Sequence, residues 1–251
     1  MSGNVLISPE LISRLEHAER VGVFTGAGMS AESGVPTFRG EEGIWKKFKP
    51  EELANFDAFM RNPGLVWEWY NHRKQLIGGI TPNAGHYALA AMESRHRLFS
   101  IATQNIDNLH QVSGVAPQDV VELHGNTTYA VCLDCAERYE LSWVRQKFEG
   151  NGEHAPDCAC GGHIKTATVS FGQAMPVDAM RRAEELTMGC DLFLAVGSSL
   201  VVWPAAEFPL MAKRNGAALV IINREPTEFD ELADLVVRND IGDALAPFIA
   251  H

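Results

Sequence analysis

The sequence lacks the features of an exported or membrane-bound protein. No apolar run approaches the ~20 residues that span a bilayer. A secretory signal has a basic segment followed by a long apolar one, and the first eight residues show no such pattern. Basic residues are in deficit, since 21 Lys and Arg stand against 32 Asp and Glu, for a net charge of −11. This balance argues against nucleic acid and anionic membranes as partners. We therefore expect a cytoplasmic protein, for which a monomer is plausible; its acidic surface suits lysine-rich protein segments, or serves solubility alone.

Only five cysteines occur, and in a cytoplasmic protein they are more often metal ligands or buried apolar residues than disulfides. Four form two pairs, Cys132-Leu-Asp-Cys135 and Cys158-Ala-Cys160, on either side of a polar stretch that we expect to be a loop. Four thiolates from two such turns form a closed tetrahedral zinc site of the structural kind. A redox C-x-x-C motif or unrelated thiols are the alternatives, but two pairs with adjacent glycines favour one zinc ion. Cys190 precedes an apolar strand and is interpreted as a core residue.

The dinucleotide fingerprint G-x-G-x-x-G is also missing, although a related glycine turn is present. An apolar strand predicted at residues 20–25 runs into Gly26-Ala27-Gly28, but the next glycine is Gly34. Glycines after a buried strand let the backbone approach a phosphate, and they also make ordinary tight turns. Polar residues follow, and then Phe38 and Arg39. These residues favour phosphate binding over an ordinary tight turn, because an aromatic ring and a guanidinium could contact a ribose, a ring or a phosphate.

Apolar segments alternate with helical ones along the chain. A helix capped by Ser8 is predicted over residues 8–19, and another from Asn83 to about residue 94. Apolar strands are predicted at residues 20–25, 97–103, 120–125, 191–199, 217–223 and 234–238. Strands separated by helices imply a parallel sheet covered on both faces, so the predicted fold class is α/β and Rossmann-like. The aromatic-rich segment 40–79 lacks β-branched runs and is predicted to form a loop and short helices, as a small insert.

Polar side chains follow several of the predicted strands, at the edge where parallel sheets bind ligands. They are Gln104-Asn105-Ile106-Asp107, His124, Gly197-Ser198-Ser199 and Asn223. A histidine at a strand end titrates near neutrality and can act as a general base, although a structural hydrogen bond is the commoner role. Asn105 and Asp107 can orient an amide or a ribose, and Asp107 alternatively caps the next helix.

Taken together, these residues resemble one family over nearly the whole chain. The matching motifs are Gly26-Ala-Gly-Met-Ser-Ala-Glu-Ser-Gly-Val-Pro-Thr-Phe-Arg39, Thr103-Gln-Asn-Ile-Asp107, His124-Gly125, both cysteine pairs, Val169-Ser-Phe-Gly172, Gly197-Ser-Ser199 and Ile222-Asn223. The sequence resembles the sirtuins, which are NAD-dependent protein-lysine deacylases. The resemblance implies a large Rossmann-like domain, a smaller module built from a zinc ribbon and a helical insert, and NAD bound between the two.

The resemblance also implies boundaries and contacts. The large domain would comprise residues 1–39, 80–125 and 166–251, and the small one the helical insert 40–79 and the zinc ribbon 126–165. One structural zinc ion would be bound by Cys132, Cys135, Cys158 and Cys160. NAD, as a co-substrate, would contact Gly26, Ala27, Gly28, Ser30, Glu32, Gly34, Phe38, Arg39, Trp45, Gln104, Asn105, Ile106, Asp107, Gly197, Ser198, Ser199, Asn223, Arg224, Glu225 and Ile241.

The same resemblance implies a reaction in which His124 and Asn105 are the catalytic residues. Asn105 and Asp107 would hold the nicotinamide carboxamide, and the acyl oxygen of the substrate lysine would attack the ribose carbon. His124 would be the general base that activates a ribose hydroxyl, and the products would be nicotinamide, free lysine and O-acyl-ADP-ribose. The segment that pairs with the substrate backbone and walls the acyl-lysine tunnel is matched by Val169, Phe171 and Gly172.

Two further residues bear on the acyl group. Tyr70 and Arg73 lie three apart, so in a helix they share a face and can bind a carboxylate together. For an arbitrary helix a solvated arginine beside a packed aromatic is the default, but Tyr-x-x-Arg matches the bacterial sirtuin subclass that removes succinyl and malonyl groups. We therefore predict a preference for negatively charged acyl-lysines over acetyl-lysine. Thr166 and Gln173 replace the family's usual proline and glutamate, which bears on peptide preference and not on the chemistry.

Three other functions compete with deacylation. An ADP-ribosyltransferase or NAD-glycohydrolase would cleave the same cofactor, but it would not need His124. A non-catalytic zinc-ribbon module with a nucleotide-sensing domain would not need the full set of catalytic residues. A hydride-transferring dehydrogenase is disfavoured by the missing fingerprint and by the lack of an acidic residue at the end of the strand that follows the first helix.

Overall fold

The structure, a computed structural model, describes residues 8–37, 43–76, 79–95, 98–150 and 155–249. Its helices are α1 (Pro9–His17), α2 (Pro50–Leu53), α3 (Phe56–Arg61), α4 (Pro63–Leu76), α5 (Ala84–Glu93), α6 (Leu109–Val112), α7 (Leu141–Gly150), α8 (Val177–Gly189), α9 (Glu207–Arg214) and α10 (Ile241–Leu245). Its strands are β1 (Arg20–Thr25), β2 (Leu98–Thr103), β3 (Val120–Glu122), β4 (Gly125–Cys132), β5 (Arg138–Glu140), β6 (Ile164–Thr168), β7 (Leu192–Val196), β8 (Ala218–Ile222) and β9 (Leu235–Val237). Phe38 and Arg39, two of the predicted NAD contacts, lie outside the described residues, as does the side chain of Trp45. Among the described residues, no helix combines the length and the apolar character needed to cross a bilayer.

The larger of two sheets is parallel and has the strand order β3-β2-β1-β7-β8-β9. Its central strands β1 and β7 are buried along almost their whole length, which is why their sequences are continuous apolar runs. β1 pairs with β2 on one side and with β7 on the other, so the strand order reverses at β1. Ligands bind at the carboxyl ends of strands beside such a reversal. The predicted α/β, Rossmann-like fold class is confirmed.

Helices cover both faces of this sheet. α1, α5 and α10 contribute to one apolar cluster, which includes Leu15 and Leu89, and α8 and α9 contribute to the other, which includes Leu186 and Phe208. Residues of β1 alternate between the two clusters, as the period of a strand requires. The predicted cap of α1 is also confirmed, because the Ser8 hydroxyl accepts a hydrogen bond from the backbone N–H of Leu11 at 3.3 Å.

The second sheet is antiparallel, with the order β5-β4-β6, and it packs with α4 and α7 around a separate apolar cluster. In this cluster, the indole Nε1 of Trp67 on α4 donates to the carbonyl of Ile164 on β6 at 2.9 Å. The expectation of a loop between the cysteine pairs is wrong, because β5 and α7 lie there. Val144 and Phe148 of α7 are buried. They are spaced four apart, so they form the buried face of a short helix that also carries the charged residues Arg145, Lys147 and Glu149.

The chain passes between the two sheets at two adjacent crossings. The predicted strand 120–125 ends at Glu122, and β4 begins at Gly125 after two residues. Gly125 pairs with Thr168 at the end of β6, and Val169 donates its N–H to the His124 carbonyl at 2.8 Å. Gly125 has φ of +73°, and a Cβ there would come within 1.8 Å of the Ala167 carbonyl oxygen, so only glycine fits. This close crossing fixes the position of His124 where the two sheets meet.

Candidate active site

A cavity of about 440 Å³ opens at the carboxyl edge of the parallel sheet and extends toward α4 and the segment after β6. Most of the predicted site residues line this main cavity: Gly26, Ala27, Gly28, Glu32, Tyr70, Arg73, Gln104, Asn105, Ile106, His124, Val169, Phe171, Gly172, Gly197, Ser198, Ser199, Asn223, Arg224, Glu225 and Ile241. A small side pocket shares Arg73 and Asn105 with it and adds Ser30 and Asp107. Gly34 lines neither of these two cavities, and it ends a short 3-10 helix in the left-handed conformation.

The glycine turn after β1 packs directly against the turn after β7. The N–H of Gly26 donates to the Val196 carbonyl at 3.0 Å, and the N–H of Gly28 donates to the Gly197 carbonyl at 2.8 Å. A Cβ on Gly28 would come within 2.8 Å of the Gly197 backbone. The glycines therefore let two loops meet backbone to backbone and form the floor of the main cavity. Both turns line the main cavity, so an extended dinucleotide can pack against their exposed backbone, and the cradle fits NAD.

Asn105 and Asp107 are held by a network around the side pocket. The Asn105 amide Nδ2 donates to the Gly26 carbonyl at 2.9 Å and to the Ser30 hydroxyl at 3.2 Å. The Ser30 hydroxyl donates to Asp107 Oδ2 at 2.7 Å. Asp107 Oδ1 accepts from the N–H of Leu109 at 3.0 Å, at the start of α6. Asp107 therefore caps the next helix with one oxygen and faces the side pocket from the same position, so the two interpretations of this residue are compatible.

His124 lines the main cavity with one ring nitrogen already engaged. Its Nδ1 lies 3.1 Å from the carbonyl oxygen of Gln104. Because a carbonyl only accepts, this contact assigns the proton to Nδ1 and leaves Nε2 as the basic nitrogen. Burial lowers the pKa of His124, and the hydrogen bond to Gln104 partly opposes this effect. The ring is thus neutral at pH 7, which is the protonation state that a general base needs.

Glu32 has a structural partner that the sequence did not indicate. Its carboxylate accepts the N–H of Ile241 at 2.8 Å and lies 3.2–3.3 Å from the N–H of Gly242, at the start of α10. A negative charge at a helix N-terminus satisfies N–H groups that have no partner within the helix. Glu32 thereby ties the glycine turn to α10, which brings Ile241 to the main cavity. Nearby, Arg224 pairs with Asp240 at 2.5 Å on the exposed side.

Tyr70 and Arg73 share one face of α4 and line the far end of the main cavity. Burial raises the pKa of Tyr70 and lowers the pKa of Arg73, and the Asp107 charge partly offsets the shift of Arg73. Arg73 therefore faces a buried site and is not the solvated arginine of an arbitrary helix. The Tyr70 and Trp67 rings pack perpendicular to each other with centroids 5.5 Å apart, and this contact helps to orient the phenol.

Several lining residues were not predicted from the sequence. They are Leu53, Trp69, Thr168, Ser170, Met175 and Trp203. Trp69 falls in the aromatic-rich segment, but nothing in its spacing separates it from the packed aromatics around it. Thr168 and Ser170 flank Val169, but the family resemblance assigned the tunnel wall only to Val169, Phe171 and Gly172.

The four paired cysteines converge at one end of the second sheet. Their sulfur atoms all lie within 4.8 Å of one another, and Cys132–Cys160 and Cys135–Cys158 are each 3.5 Å apart. A tetrahedral zinc ion with Zn–S bonds of about 2.3 Å places its sulfurs about 3.8 Å apart, so the donor set fits one zinc ion. The Tyr139 hydroxyl donates to Cys158 Sγ at 3.0 Å, a supporting contact typical of metal-bound thiolates. None of these cysteines lines the main cavity, so the site is structural. The fifth, Cys190, is buried in the core as predicted.

These features define the class of the protein: an α/β fold with a ligand cavity at the carboxyl edge of its parallel sheet, and a separate four-cysteine module. The chain belongs to the Sir2 family, whose model matches residues 26–204. An NAD-dependent protein deacetylase of Rhodopseudomonas palustris is 54% identical over 254 residues, covering 98% of this chain and all of the relative. An NAD-dependent protein deacylase of Aquifex aeolicus is 49% identical, covering 84% of this chain and 86% of the relative.

Solved structures give the same result. The chain in a structure described as "Sir2-p53 peptide-NAD+" has a TM-score of 0.85 and 33% sequence identity, with 95% of both chains covered. Another, described as "Structural Basis for the Mechanism and Regulation of Sir2 Enzymes", has a TM-score of 0.84 and 40% identity, with 96% of this chain and 95% of the other covered. The predicted membership of the sirtuins is confirmed.

Proposed function

We propose that this chain removes acyl groups from protein lysines in a reaction that consumes NAD, and that it prefers acyl groups ending in a carboxylate. The first part agrees with the names of its relatives, which are NAD-dependent deacetylases and deacylases. The observation that carries the proposal is that one cavity is lined by the glycine loops, by His124, and by Tyr70 and Arg73. A cofactor, a base and a receptor for an acyl group can therefore meet in one site.

Within this function, the side pocket would hold the nicotinamide and the main cavity the rest of the dinucleotide. When bound, NAD supplies a ribose carbon that accepts the acyl oxygen as nicotinamide leaves. Asn105 and Asp107 are positioned to hold the nicotinamide amide in the side pocket, because the network through Ser30 fixes both side chains. The loops at Gly26–Gly28 and Gly197–Ser199 would hold the rest of the dinucleotide along the sheet edge.

His124 is the proposed general base. His124 lines the main cavity and its Nδ1 is held by Gln104, which leaves Nε2 as the nitrogen that would take a proton from a ribose hydroxyl. The Gln104 side chain is itself held, since its amide donates to the Ser198 hydroxyl at 2.9 Å. This contact joins the loop that orients the base to the loop after β7.

The proposed acyl preference rests on Tyr70 and Arg73. A guanidinium and a phenol on one helix face can bind both oxygens of a carboxylate, and a buried, low-dielectric setting strengthens such a pair. An acetyl group has no carboxylate, so it cannot form this charged contact with Tyr70 and Arg73. The relatives' names include both deacetylase and deacylase, so the acyl group has to be measured.

The test is nicotinamide release from one peptide carrying acetyl-, malonyl- or succinyl-lysine in turn. We expect malonyl- and succinyl-lysine to give the higher kcat/KM, and Arg73→Met to lower it for succinyl-lysine by about 10²-fold while sparing acetyl-lysine. Lys74→Met is the matched control, because Lys74 is exposed at the next position of α4 and lies outside the cavity. Equal loss of both activities in Arg73→Met would contradict the acyl preference.

A second measurement separates deacylation from the competing ADP-ribosyltransferase. Intact-mass analysis of an acylated target after incubation with NAD should show a lighter protein, whereas ADP-ribosylation would make it heavier. His124→Ala should stop the loss of mass with the fold retained. A heavier target, or undiminished activity in His124→Ala, would count against deacylation.

A further inference from the structure

The end of β6 and the residues just after it bring two hydroxyl groups to the acyl end of the main cavity, and a third hydroxyl lies behind them in the strand. Thr168 and Ser170 line the cavity together with Tyr70 and Arg73. Thr166 lies two residues earlier on the same side of β6, and its hydroxyl is 2.9 Å from that of Thr168. All three are buried, with at most 9% of each residue exposed.

Two of these hydroxyls, on Thr168 and Ser170, line the same cavity as the phenol of Tyr70. Burial raises the pKa of Tyr70, and side-chain hydrogen bonds from Thr166, Ser170 and Thr168 counteract that rise. Tyr70, Thr168 and Ser170 therefore form a cluster of three hydroxyl groups on the lining of one cavity, and Thr166 contacts Thr168 behind them. Each hydroxyl has one donor and two acceptor sites and can rotate, so the cluster can offer either a donor or an acceptor to a ligand.

Hydrogen bonds on both sides fix the backbone that carries Thr168 and Ser170. Lys165 is fully buried, and its ammonium donates to the carbonyl of Thr168. On the other side, the N–H of Ser170 donates to the side chain of Gln173 at 3.1 Å. The two hydroxyls that face the cavity are thus attached to a fixed segment, which is what a binding site requires.

A buried hydroxyl loses its partner when an alkyl chain displaces water from it, whereas a hydroxyl on the ligand replaces that partner. We propose that Thr168, Ser170 and Tyr70, supported by Thr166, form a hydroxyl-lined acyl subsite that prefers acyl chains carrying a hydroxyl group over unsubstituted chains of equal length. This inference rests on the proposed deacylase function and extends it to a substrate class. It is independent of Arg73, because it applies to neutral acyl groups.

The test compares butyryl-lysine with the two enantiomers of 3-hydroxybutyryl-lysine in one peptide, by nicotinamide release and peptide mass. These chains are neutral and equally long. One neutral hydrogen bond corresponds to a preference of about threefold to tenfold in kcat/KM for the better enantiomer over butyryl-lysine. Because the hydroxyls lie on one wall, the two enantiomers should also differ from each other.

Thr168→Val and Ser170→Ala, singly and together, remove hydroxyls with little change in volume. We expect the double variant to bring the three kcat/KM values to within about twofold of one another, so the readout is their ratio and not the turnover of any one peptide. Thr128→Val is the matched control, because Thr128 is exposed on the neighbouring strand β4. Thermal unfolding and zinc content of each variant check that it is folded.

Equal turnover of the three peptides by the native chain would overturn the inference, as would an unchanged preference in a folded double variant. The inference would also be overturned if acetyl- or succinyl-lysine were turned over but neither butyryl- nor 3-hydroxybutyryl-lysine were. That outcome would leave the deacylase function intact. Failure with every acylated peptide, in contrast, would overturn the proposed function itself.

Discussion

The two sheets are stabilised in different ways. The parallel sheet lies between two apolar clusters that include most of the buried side chains of its strands. The cluster beside the antiparallel sheet is much smaller among the described residues, and two of its members are the zinc-site cysteines Cys132 and Cys158. Burial of apolar surface can hold the first sheet alone, whereas we expect the second to need a metal because its core is small. The active site uses both, because His124 lies where the chain passes between them.

The largest expected effect is the loss of zinc. Cys135→Ser should reduce bound zinc from one ion per chain to none and abolish activity, because a structural zinc site contributes about 10 kcal/mol or more to folding. Hydrogen exchange should show loss of protection in β4–β6, with β1, β7 and β8 still protected. Cys190→Ala is the control, since that thiol lies in the large core and not in the cluster of four. Loss of protection in both sheets at once would contradict the view that only the antiparallel sheet needs the metal.

Two matched core variants sharpen the comparison. Leu194 on β7 and Ile164 on β6 are both fully buried, so truncation of either to alanine should cost about 2–5 kcal/mol of local stability in the zinc-loaded protein. After removal of zinc by a chelator, Leu194→Ala should still lower the remaining urea transition, whereas Ile164→Ala should leave it unchanged. An equal shift for both variants in the metal-free protein would mean that the sheets unfold together.

A smaller effect concerns pH and only the large sheet. His86 and His110 pack with ring centroids 5.0 Å apart, and burial lowers their pKa values to about 4 and about 3. The unfolded chain protonates histidine near pH 6.5, so between that pH and about 4 it binds more protons than the folded chain. Stability present above pH 6.5 should therefore fall as the pH drops, by up to about 1.4 kcal/mol per unit for each histidine.

The measurement is urea unfolding between pH 5 and 7, followed by hydrogen exchange in β1 and β7. His110→Gln should remove about one histidine's share of the slope, although it also changes the contact with Thr25, which lies 2.9 Å from the ring. His17→Gln on the exposed side of α1 is the control and should leave the slope as it is. A slope that survives His110→Gln would assign the pH dependence to other groups.

Much of the fold followed from the sequence, because its signals are local. Runs such as 192–196 and 218–222 identified the central strands, since a strand buried on both faces is apolar throughout. The helix α7 was missed, because it is short and its buried positions Val144 and Phe148 stand among charged residues such as Arg145 and Lys147. The domain boundaries drawn at residues 39, 79, 125 and 165 remain a prediction.

The sequence by itself determined the strands, the glycine turns and the cysteine pairs, because periodicity and short spacings are set by neighbouring residues. Only the tertiary structure decided how they are combined. Parallel register aligns Thr25 with Thr103 and Val196, and Val196 with Ile222, so that loops distant in sequence meet at one edge. The same packing attaches Glu32 to α10, orients the His124 ring through the Gln104 carbonyl, and brings Thr168 and Ser170 to the same cavity as Tyr70. Such contacts depend on which surfaces become buried together, and that is a property of the folded chain as a whole.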